Sequence, residues 1–211
     1  MIFRQAVDYA ERHVIPQYAR FDAAHRIDHV RTVIAESLRL ADYYPVDRTM
    51  VYLAAAFHDT GLCEGRERHH VVSGEILSRD PFVTAHFTAG RILIIREAVE
   101  DHRASSGREP RTLYGRIVAE ADRVIDPDIT LRRTVQYGLD HYPDLDSDGH
   151  YARMLEHLTR KYAAGGYLRL WCPESDNARR LAELRRIISS PDELRRRFDL
   201  LMDALSSTER R

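Results

Sequence analysis

An all-α fold is predicted from this sequence, and three observations support it. Apolar residues recur at spacings of three and four along most of the chain, which is the period of an amphipathic helix. Long runs with the alternating pattern of a strand are missing. Gly, Pro, Ser and Asp collect in short stretches between the periodic segments, where helices end. We therefore expect a single helical domain over residues 1–211.

The first helices follow from local patterns. The N-terminal stretch MIFRQAVDYAERHVIPQ lacks an uninterrupted apolar core, so it reads as an amphipathic helix and not as a signal peptide. Segment 28–44 has one apolar face and is followed by Pro45, which cannot continue a helix. Asp47 is suited to cap the next helix, whose apolar face runs to His58. Gly61 is expected to end that segment in a left-handed conformation.

Further helices are expected along the rest of the chain, at 69–79, 88–102, 112–125, 129–139 and 150–163. Two more follow in the tail and begin near the stretches PESDNARR and SSPDELRR. The connecting stretches are too short to act as interdomain linkers. This supports the expectation of one domain.

Composition narrows the functional class. With 32 basic and 33 acidic residues the net charge is -1, so no overall field attracts nucleic acid or an anionic membrane. No segment approaches the roughly 18 apolar residues of a membrane span. Cys63 and Cys172 form neither a disulfide framework nor a zinc-binding pair, which favours a reduced, cytoplasmic setting. We expect neither a nucleic-acid nor a membrane partner.

Several polar residues fall on or beside apolar helix faces, where an ionisable group needs a partner or a metal. They are His29, His58, Asp59, His102 and Asp122. Each alone has an ordinary explanation as a hydrogen-bonded core residue or a helix-end carboxylate. Imidazole and carboxylate ligands from different helices converge naturally inside a helical bundle, so the ordered set favours a metal site.

The order of His29, the adjacent pair His58 and Asp59, and then Asp122 resembles the signature of the HD-domain superfamily of metal-dependent phosphohydrolases, especially its small stand-alone members. The resemblance includes the HDTG turn, the HHVVSGEIL helix start, the VEDHR helix end and the AEADR helix. It implies an HD-type helical core over about 20–140. The helices expected after this core from the sequence pattern form a C-terminal extension over about 143–211. Beyond residue 142 the resemblance thins. The stretch HLTRKYAAGGYLRLWCPES could form a lid or a substrate wall, but a helix pair that completes the core or forms a dimer contact is favoured.

The resemblance also implies a metal centre. His29, His58, Asp59 and Asp122 would bind one divalent ion, which could be Mn, Mg, Fe, Co or Ni, and this ion would activate a water. His69 and His102 lie where two-metal members of the family place extra ligands. Alternatively, they face the substrate phosphate and exchange protons. We expect one tightly bound ion and catalytic roles for Asp59, His69 and His102, with a second ion held by the two histidines only at high metal concentration.

Phosphate binding is expected beside this centre. The candidates are His70, which adjoins His69, Arg103, which adjoins His102, and His25, one turn before His29. A guanidinium group can bind phosphate oxygens bidentately. His25 could alternatively orient a ligand or a water.

Three functions remain open from the sequence. The leading hypothesis is a hydrolase that cleaves a phosphate ester or anhydride in a nucleotide or another small phosphorylated metabolite. An HD site with paired iron could instead support oxygen-dependent chemistry. A regulatory module that binds metal without turnover is disfavoured, because every primary ligand is present.

Overall fold

The computed structural model describes residues 1–22, 25–123 and 125–208, and these residues are all-α, as predicted. They form eleven α-helices and three short 3-10 helices, and no strand occurs among them. None of these helices is both long and apolar enough to cross a membrane. The α-helices are α1 (Ile2–His13), α2 (Ile27–Ala41), α3 (Arg48–Phe57), α4 (His69–Arg79), α5 (Pro81–His86), α6 (Ala89–Glu100), α7 (Leu113–Asp122), α8 (Pro127–His141), α9 (Ser147–Tyr162), α10 (Asn177–Ile188) and α11 (Pro191–Thr208).

The predicted helices are confirmed within a few residues, with one addition. The short helix α5 was not predicted, because six residues are too few to display a helical period. Its start is nevertheless encoded locally. The carboxylate of Asp80 accepts hydrogen bonds from the backbone N–H groups of Phe82 and Val83, and Pro81 occupies the first turn.

Of the two expectations about the ends of α3, one is confirmed and one is wrong. Asp47 caps the helix, since its carboxylate accepts a 2.8 Å hydrogen bond from the Thr49 N–H. Gly61 is not left-handed: among the described residues, positive φ angles occur at Gly65 and Gly107. Gly61 lies instead in the 3-10 helix Thr60–Glu64, where a Cβ atom would stand 2.2 Å from the carbonyl oxygen of His69. Glycine is needed there for close backbone approach.

The described residues pack into two compact units. The first comprises Met1–Arg123 with Leu170–Ser175, and the second comprises the described parts of Val124–Arg169 and Asp176–Arg211. All the candidate site residues belong to the first unit. The expectation of one domain over the whole chain stays a prediction.

Helix α3 lies at the centre of the first unit and packs against α1, α2, α6 and α7. Every residue from Thr49 to Phe57 is buried. A helix that is apolar all round must lie inside the protein, because it has no polar face to offer to water. This placement carries the His58–Asp59 pair, directly after the helix, into the interior.

The second unit has a core of its own. Helices α8, α9, α10 and α11 bury one apolar stripe each, with side chains such as Leu131, Met154, Leu184 and Phe198 almost fully inaccessible to solvent. The charged residues of these helices form ion pairs at the surface, of which Arg186 with Glu193 is one example. This is the pattern of amphipathic helices that pack around one apolar core.

Candidate metal centre

The end of α3 orients the first candidate ligand. The last carbonyl groups of a helix have no partner within it and must find one elsewhere. The Nδ1 atom of His58 lies 2.7 Å from the carbonyl oxygen of Ala55, and the hydroxyl of Thr60 donates to that of Phe57 at 2.8 Å. The His58 ring is thereby fixed with its Nε2 atom directed away from the helix.

Two further histidines are held in the same way. The Nδ1 atom of His102 lies 2.6 Å from the carbonyl oxygen of Val99, and that of His69 lies 2.8 Å from the carbonyl oxygen of Arg66. A carbonyl oxygen only accepts hydrogen bonds, so Nδ1 carries the hydrogen in these rings. In the neutral form of each ring, Nε2 then presents a lone pair.

The first cluster consists of His29, His58, Asp59 and Asp122, the four ligands predicted from the sequence. The Nε2 atom of His29 lies 3.2 Å from Nε2 of His58 and 3.2 Å from Oδ1 of Asp122. Oδ2 of Asp59 lies 3.2 Å from Nε2 of His58 and 3.6 Å from Nε2 of His29. Residues from α2, from the end of α3 and from α7 therefore meet at one point.

The second cluster consists of Asp59, His69 and His102. Oδ1 of Asp59 lies 3.5 Å from Nε2 of His69 and 3.4 Å from Nε2 of His102, and the two Nε2 atoms are 3.2 Å apart. The single carboxylate of Asp59 thus faces two histidine pairs, with one oxygen directed at each pair. The two clusters share this residue.

The donor atoms of both clusters fit a divalent cation. Lone pairs of imidazole nitrogens and carboxylate oxygens converge in a buried place, and such a set of acceptors needs a positive charge between them. Neighbouring ligands of an octahedral ion with bonds of about 2.1 Å are roughly 3 Å apart. The donor atoms are 3.2–3.6 Å apart among His29, His58 and Asp59 and among Asp59, His69 and His102, which is close to that value.

In the metal-free site, the charges of these groups depend strongly on one another. Burial acts to lower the pKa of His29, but its hydrogen bonds with Asp122 and Asp59 outweigh burial and raise that pKa to about 9. Burial acts to raise the pKa of Asp59, yet the nearby imidazoles, His58 foremost, hold it far below its usual range. The pKa of Asp122 is likewise lowered against the effect of burial, mainly by His29. Both carboxylates are therefore ionised and available as ligands at neutral pH.

Two histidines of the second cluster differ in their affinity for protons. Burial by itself acts to lower the pKa of both His69 and His102. For His102 the hydrogen bond and the charge of Asp59 overcome burial, so its pKa is raised. For His69 burial and the neighbouring His102 prevail, and its pKa is lowered. His69 is thus the better prepared of the two to present a free Nε2 lone pair.

The three predicted phosphate-binding residues lie beside the clusters. The His70 ring is 5.6 Å from that of His69, and burial together with the charge of Arg103 lowers its pKa to about 4, so it is neutral at pH 7. Arg103 donates to the Ser105 hydroxyl at 2.9 Å and to the carbonyl oxygen of Glu67. The His25 ring lies 5.7 Å from that of His29. A role in phosphate binding stays a prediction for all three.

Two other arginines that border the site in sequence have structural contacts. Arg108 pairs with the buried Asp101 at 3.1 Å. Arg123 is buried, with its guanidinium 5.9 Å from the centre of the Trp171 ring. These contacts hold the ends of α6 and α7.

Two residues that were not predicted from the sequence form hydrogen bonds with the turn that carries His58 and Asp59. The hydroxyl of Tyr18 donates to the carbonyl oxygen of Ala56 at 2.9 Å and accepts from the N–H of Asp59 at 3.1 Å. The hydroxyl of Ser73 accepts from the Gly61 N–H at 2.8 Å. No spacing rule points to either residue, because their partners are 12 to 41 positions away.

Glu120 was also missed, although a glutamate inside an apolar stretch of α7 is a usable signal. Its side chain is fully buried and accepts hydrogen bonds from the Trp171 N–H at 2.6 Å and the Ser175 hydroxyl at 2.5 Å. The segment Leu170–Ser175 is thereby fastened to the helix that ends at Asp122. Part of the stretch considered as a substrate wall therefore belongs to the first unit.

Comparison with known proteins agrees with this geometry. Residues 26–125 match the HD domain family. A tRNA (cytidine(56)-2'-O)-methyltransferase from Picrophilus torridus is 32% identical over 110 residues, which cover 48% of this chain and 32% of that protein. This chain thus spans about a third of the length of that relative.

A solved structure has a similar fold. The crystal structure of Bacillus subtilis YpgQ in complex with ADP covers 100% of this chain and 96% of its own, with a TM-score of 0.55 and 17% sequence identity. At that identity the likeness concerns the fold alone. The fold agrees with the match of residues 26–125 to the HD domain family, a segment that contains His29, His58, Asp59 and Asp122.

Proposed function

We propose that this chain is a metal-dependent phosphohydrolase that cleaves a phosphate ester or anhydride in a nucleotide or another small phosphorylated metabolite. The match of residues 26–125 to the HD domain family supports the proposal, because that family implies metal-dependent hydrolysis. The observation that carries the proposal is the buried carboxylate of Asp59, with one oxygen facing His29 and His58 and the other facing His69 and His102. This arrangement concentrates ligands for hard divalent ions around one carboxylate.

We infer that His29, His58, Asp59 and Asp122 hold one ion and that Asp59, His69 and His102 hold a second. The expectation of a single tight ion, with both histidines of the second cluster facing phosphate, is the alternative. The two-ion arrangement is supported by the distances from Asp59 Oδ1 to both Nε2 atoms, 3.5 and 3.4 Å. A bound divalent ion would polarise a phosphoryl oxygen and lower the pKa of a coordinated water.

The remaining side chains have roles around the substrate. Arg103 directly follows His102 in the sequence. Its positive charge would interact with the phosphate oxygens of a substrate bound at the second cluster. His70, neutral at pH 7, can donate a hydrogen bond but adds no charge. His25 is placed beside His29 and in contact with Arg66. The ADP bound in the YpgQ crystal structure supports a nucleotide as the first substrate class to test.

The test is a screen of nucleoside mono-, di- and triphosphates and generic phosphate esters with Mn²⁺, Co²⁺, Ni²⁺ and Mg²⁺. We expect metal-dependent release of phosphate or pyrophosphate by the wild-type chain. The Asp59→Asn variant, which keeps the side-chain size but removes the shared charge, should be inactive at every metal concentration. Turnover by Asp59→Asn at the wild-type rate would contradict the proposal.

A second candidate function is oxygen-dependent chemistry at a pair of iron ions. The same observation favours it, because a carboxylate shared by two clusters is also what a di-iron site requires. Protein loaded anaerobically with Fe²⁺ would then consume oxygen in the presence of a substrate. Phosphate release with Mn²⁺ or Mg²⁺ and no oxygen uptake would exclude this alternative. A regulatory module would bind ions and show neither activity.

The partners of the chain are proposed from its charge. The balanced charge of the chain supports a small phosphorylated substrate and disfavours nucleic acid and anionic membranes as partners. The methyltransferase activity in the name of the Picrophilus torridus protein belongs to that protein, of which the match covers 32%. Cytoplasmic location and a possible homodimer stay predictions, and light scattering on the purified chain tests the second.

A further inference from the structure

We infer that Tyr18 is a positioning residue of the metal centre, whose hydroxyl fixes the turn that carries His58 and Asp59. The inference rests on the proposed function, since the residues it positions are the proposed metal ligands. Tyr18 belongs to the 3-10 helix Ile15–Arg20, which precedes the HD domain match at residues 26–125. The segment before the domain would thus take part in building its site.

The hydroxyl of Tyr18 forms hydrogen bonds with two backbone groups that have no partner within the helix, because the helix ends there. In a continuing helix, the Asp59 N–H would donate to the carbonyl oxygen of Ala55. That oxygen instead lies 2.7 Å from Nδ1 of His58. The Asp59 N–H donates to the hydroxyl oxygen of Tyr18 at 3.1 Å, and the hydroxyl donates a hydrogen bond to the Ala56 carbonyl at 2.9 Å. The Tyr18 hydroxyl therefore accepts the hydrogen bond of the Asp59 N–H in place of the Ala55 carbonyl, which is bonded to His58.

Burial makes this contact effective. Tyr18 is fully buried, and its ring lies 6.1 Å from the ring of His58 and 5.2 Å from that of Phe21. No water competes well for a hydrogen bond in such surroundings, and a lost partner is correspondingly costly. Without the hydroxyl, both the Ala56 carbonyl and the Asp59 N–H would be left unpaired in the interior. The turn would then have to shift, and the Asp59 carboxylate with it.

Tyr52 offers a matched control. It lies in α3, is 3% exposed, and its hydroxyl has no hydrogen-bond partner in the described part of the chain. Tyr52→Phe therefore removes the same atom from the same core without breaking a hydrogen bond. Tyr18→Phe, in contrast, removes a hydroxyl group that makes two hydrogen bonds.

The experiment compares the Mn²⁺ affinity of full-length wild type, Tyr18→Phe and Tyr52→Phe by competition with a chelator. The thermal unfolding of each metal-free protein is measured alongside. We expect Tyr18→Phe to weaken Mn²⁺ binding by about 10- to 100-fold, the effect usual for residues that orient metal ligands. Tyr52→Phe should stay within a factor of about 3, well below that range. A purely structural role of Tyr18 would lower the unfolding temperature and leave the Mn²⁺ affinity unchanged, and that result overturns the inference.

A second variant covers the case in which Tyr18→Phe does not fold. A fluorinated tyrosine at position 18 keeps the ring and the hydroxyl but weakens the oxygen as an acceptor. We expect a loss of Mn²⁺ affinity that is smaller than the loss expected for Tyr18→Phe. An unchanged affinity overturns the inference about Tyr18 but leaves the proposed metal centre standing. A wild-type chain that binds none of Mn²⁺, Mg²⁺, Co²⁺, Ni²⁺ and Fe²⁺ overturns the proposed metal centre as well.

Discussion

His58, His69 and His102 are oriented by one repeated contact, from Nδ1 to the carbonyl oxygen three residues earlier in the chain. At the ends of α3 and α6 this contact satisfies carbonyl groups that the helix itself leaves unpaired. The same hydrogen bond sets the tautomer of the ring and directs Nε2 towards Asp59. A requirement of helix termination thereby orients the candidate metal ligands.

Asp59 is the residue whose loss should affect both clusters. We expect Asp59→Asn to lower divalent metal affinity by more than about 100-fold, a larger effect than that of residues one step removed from a metal. Far-ultraviolet circular dichroism should remain helical, because the amide has the same size. Asp28→Asn, at an exposed position next to His29, is the control and should bind metal normally. Full occupancy in Asp59→Asn would show that the carboxylate is not a ligand.

His102 distinguishes the two-ion site from the one-ion site. His102→Ala removes a ligand from the second cluster and leaves the first cluster intact, so the metal content should fall from two ions per chain to one. Elemental analysis of wild type and variant, loaded under matched conditions, measures this. If His102 faces phosphate instead, the wild type would hold one ion, the variant would keep it, and turnover would fall by roughly 100- to 10,000-fold.

The pH dependence of metal binding follows from His29. Its pKa is raised to about 9 in the metal-free site, so at lower pH an incoming ion must displace a proton from Nε2. The apparent affinity should therefore rise as pH increases towards about 9, by up to about tenfold per pH unit for one displaced proton, and then level off. Asp59 and Asp122, with lowered pKa values, are already ionised in this range. Chelator competition between pH 6.5 and 9.5 is the measurement, and an affinity independent of pH in this interval would contradict the assignment.

At the scale of elements, the contact between the turn after α3 and the start of α4 depends on one missing side chain. A Cβ atom on Gly61 would stand 2.2 Å from the His69 carbonyl oxygen and 2.6 Å from the Ser73 nitrogen. Both are backbone atoms and cannot rotate away. Helix α4 would have to move as a whole, and His69 would move with it.

We therefore expect Gly61→Ala to destabilise the protein by at least about 1–3 kcal/mol, the usual cost of overpacking a core. Gly90→Ala is the control. Gly90 lies in the first turn of α6, where an added Cβ would meet no atom of the described residues within 4 Å. Alanine there should stabilise the helix by up to about 1 kcal/mol. Urea unfolding of the two metal-free variants measures both changes, and equal stability of the two would refute the steric argument.

At the scale of the whole molecule, metal binding should stabilise the fold. The candidate ligands lie on segments far apart in sequence, from His29 to Asp122, and meet only when the chain is folded. An ion that binds the folded state alone adds about 2.7 kcal/mol at a free concentration of 100 times its Kd. For a chain of this size that corresponds to a rise of roughly 5–10 °C in the unfolding temperature.

Calorimetry of metal-loaded wild type, before and after removal of the ions with a chelator, measures this shift. The Asp59→Asn variant serves as the control and should unfold at the same temperature with and without added metal. A chelator effect of equal size in Asp59→Asn would mean that the stabilising ions bind elsewhere.

The sequence by itself determined the helices, the Asp47 cap and a short list of candidate ligands. Helical periodicity and capping depend on residues three or four positions apart, so they can be read without a structure. His29, His58, Asp59 and Asp122 could be named because polar groups on apolar faces are conspicuous and their order matched a family. Only the tertiary structure decided that the two oxygens of Asp59 face different histidine pairs, that Gly61 permits a close approach, and that Tyr18 and Glu120 support the site. Apart from the contact between the adjacent His58 and Asp59, these contacts join residues 8 to 51 positions apart. Their geometry is set by how the helices pack, on which local spacing carries no information.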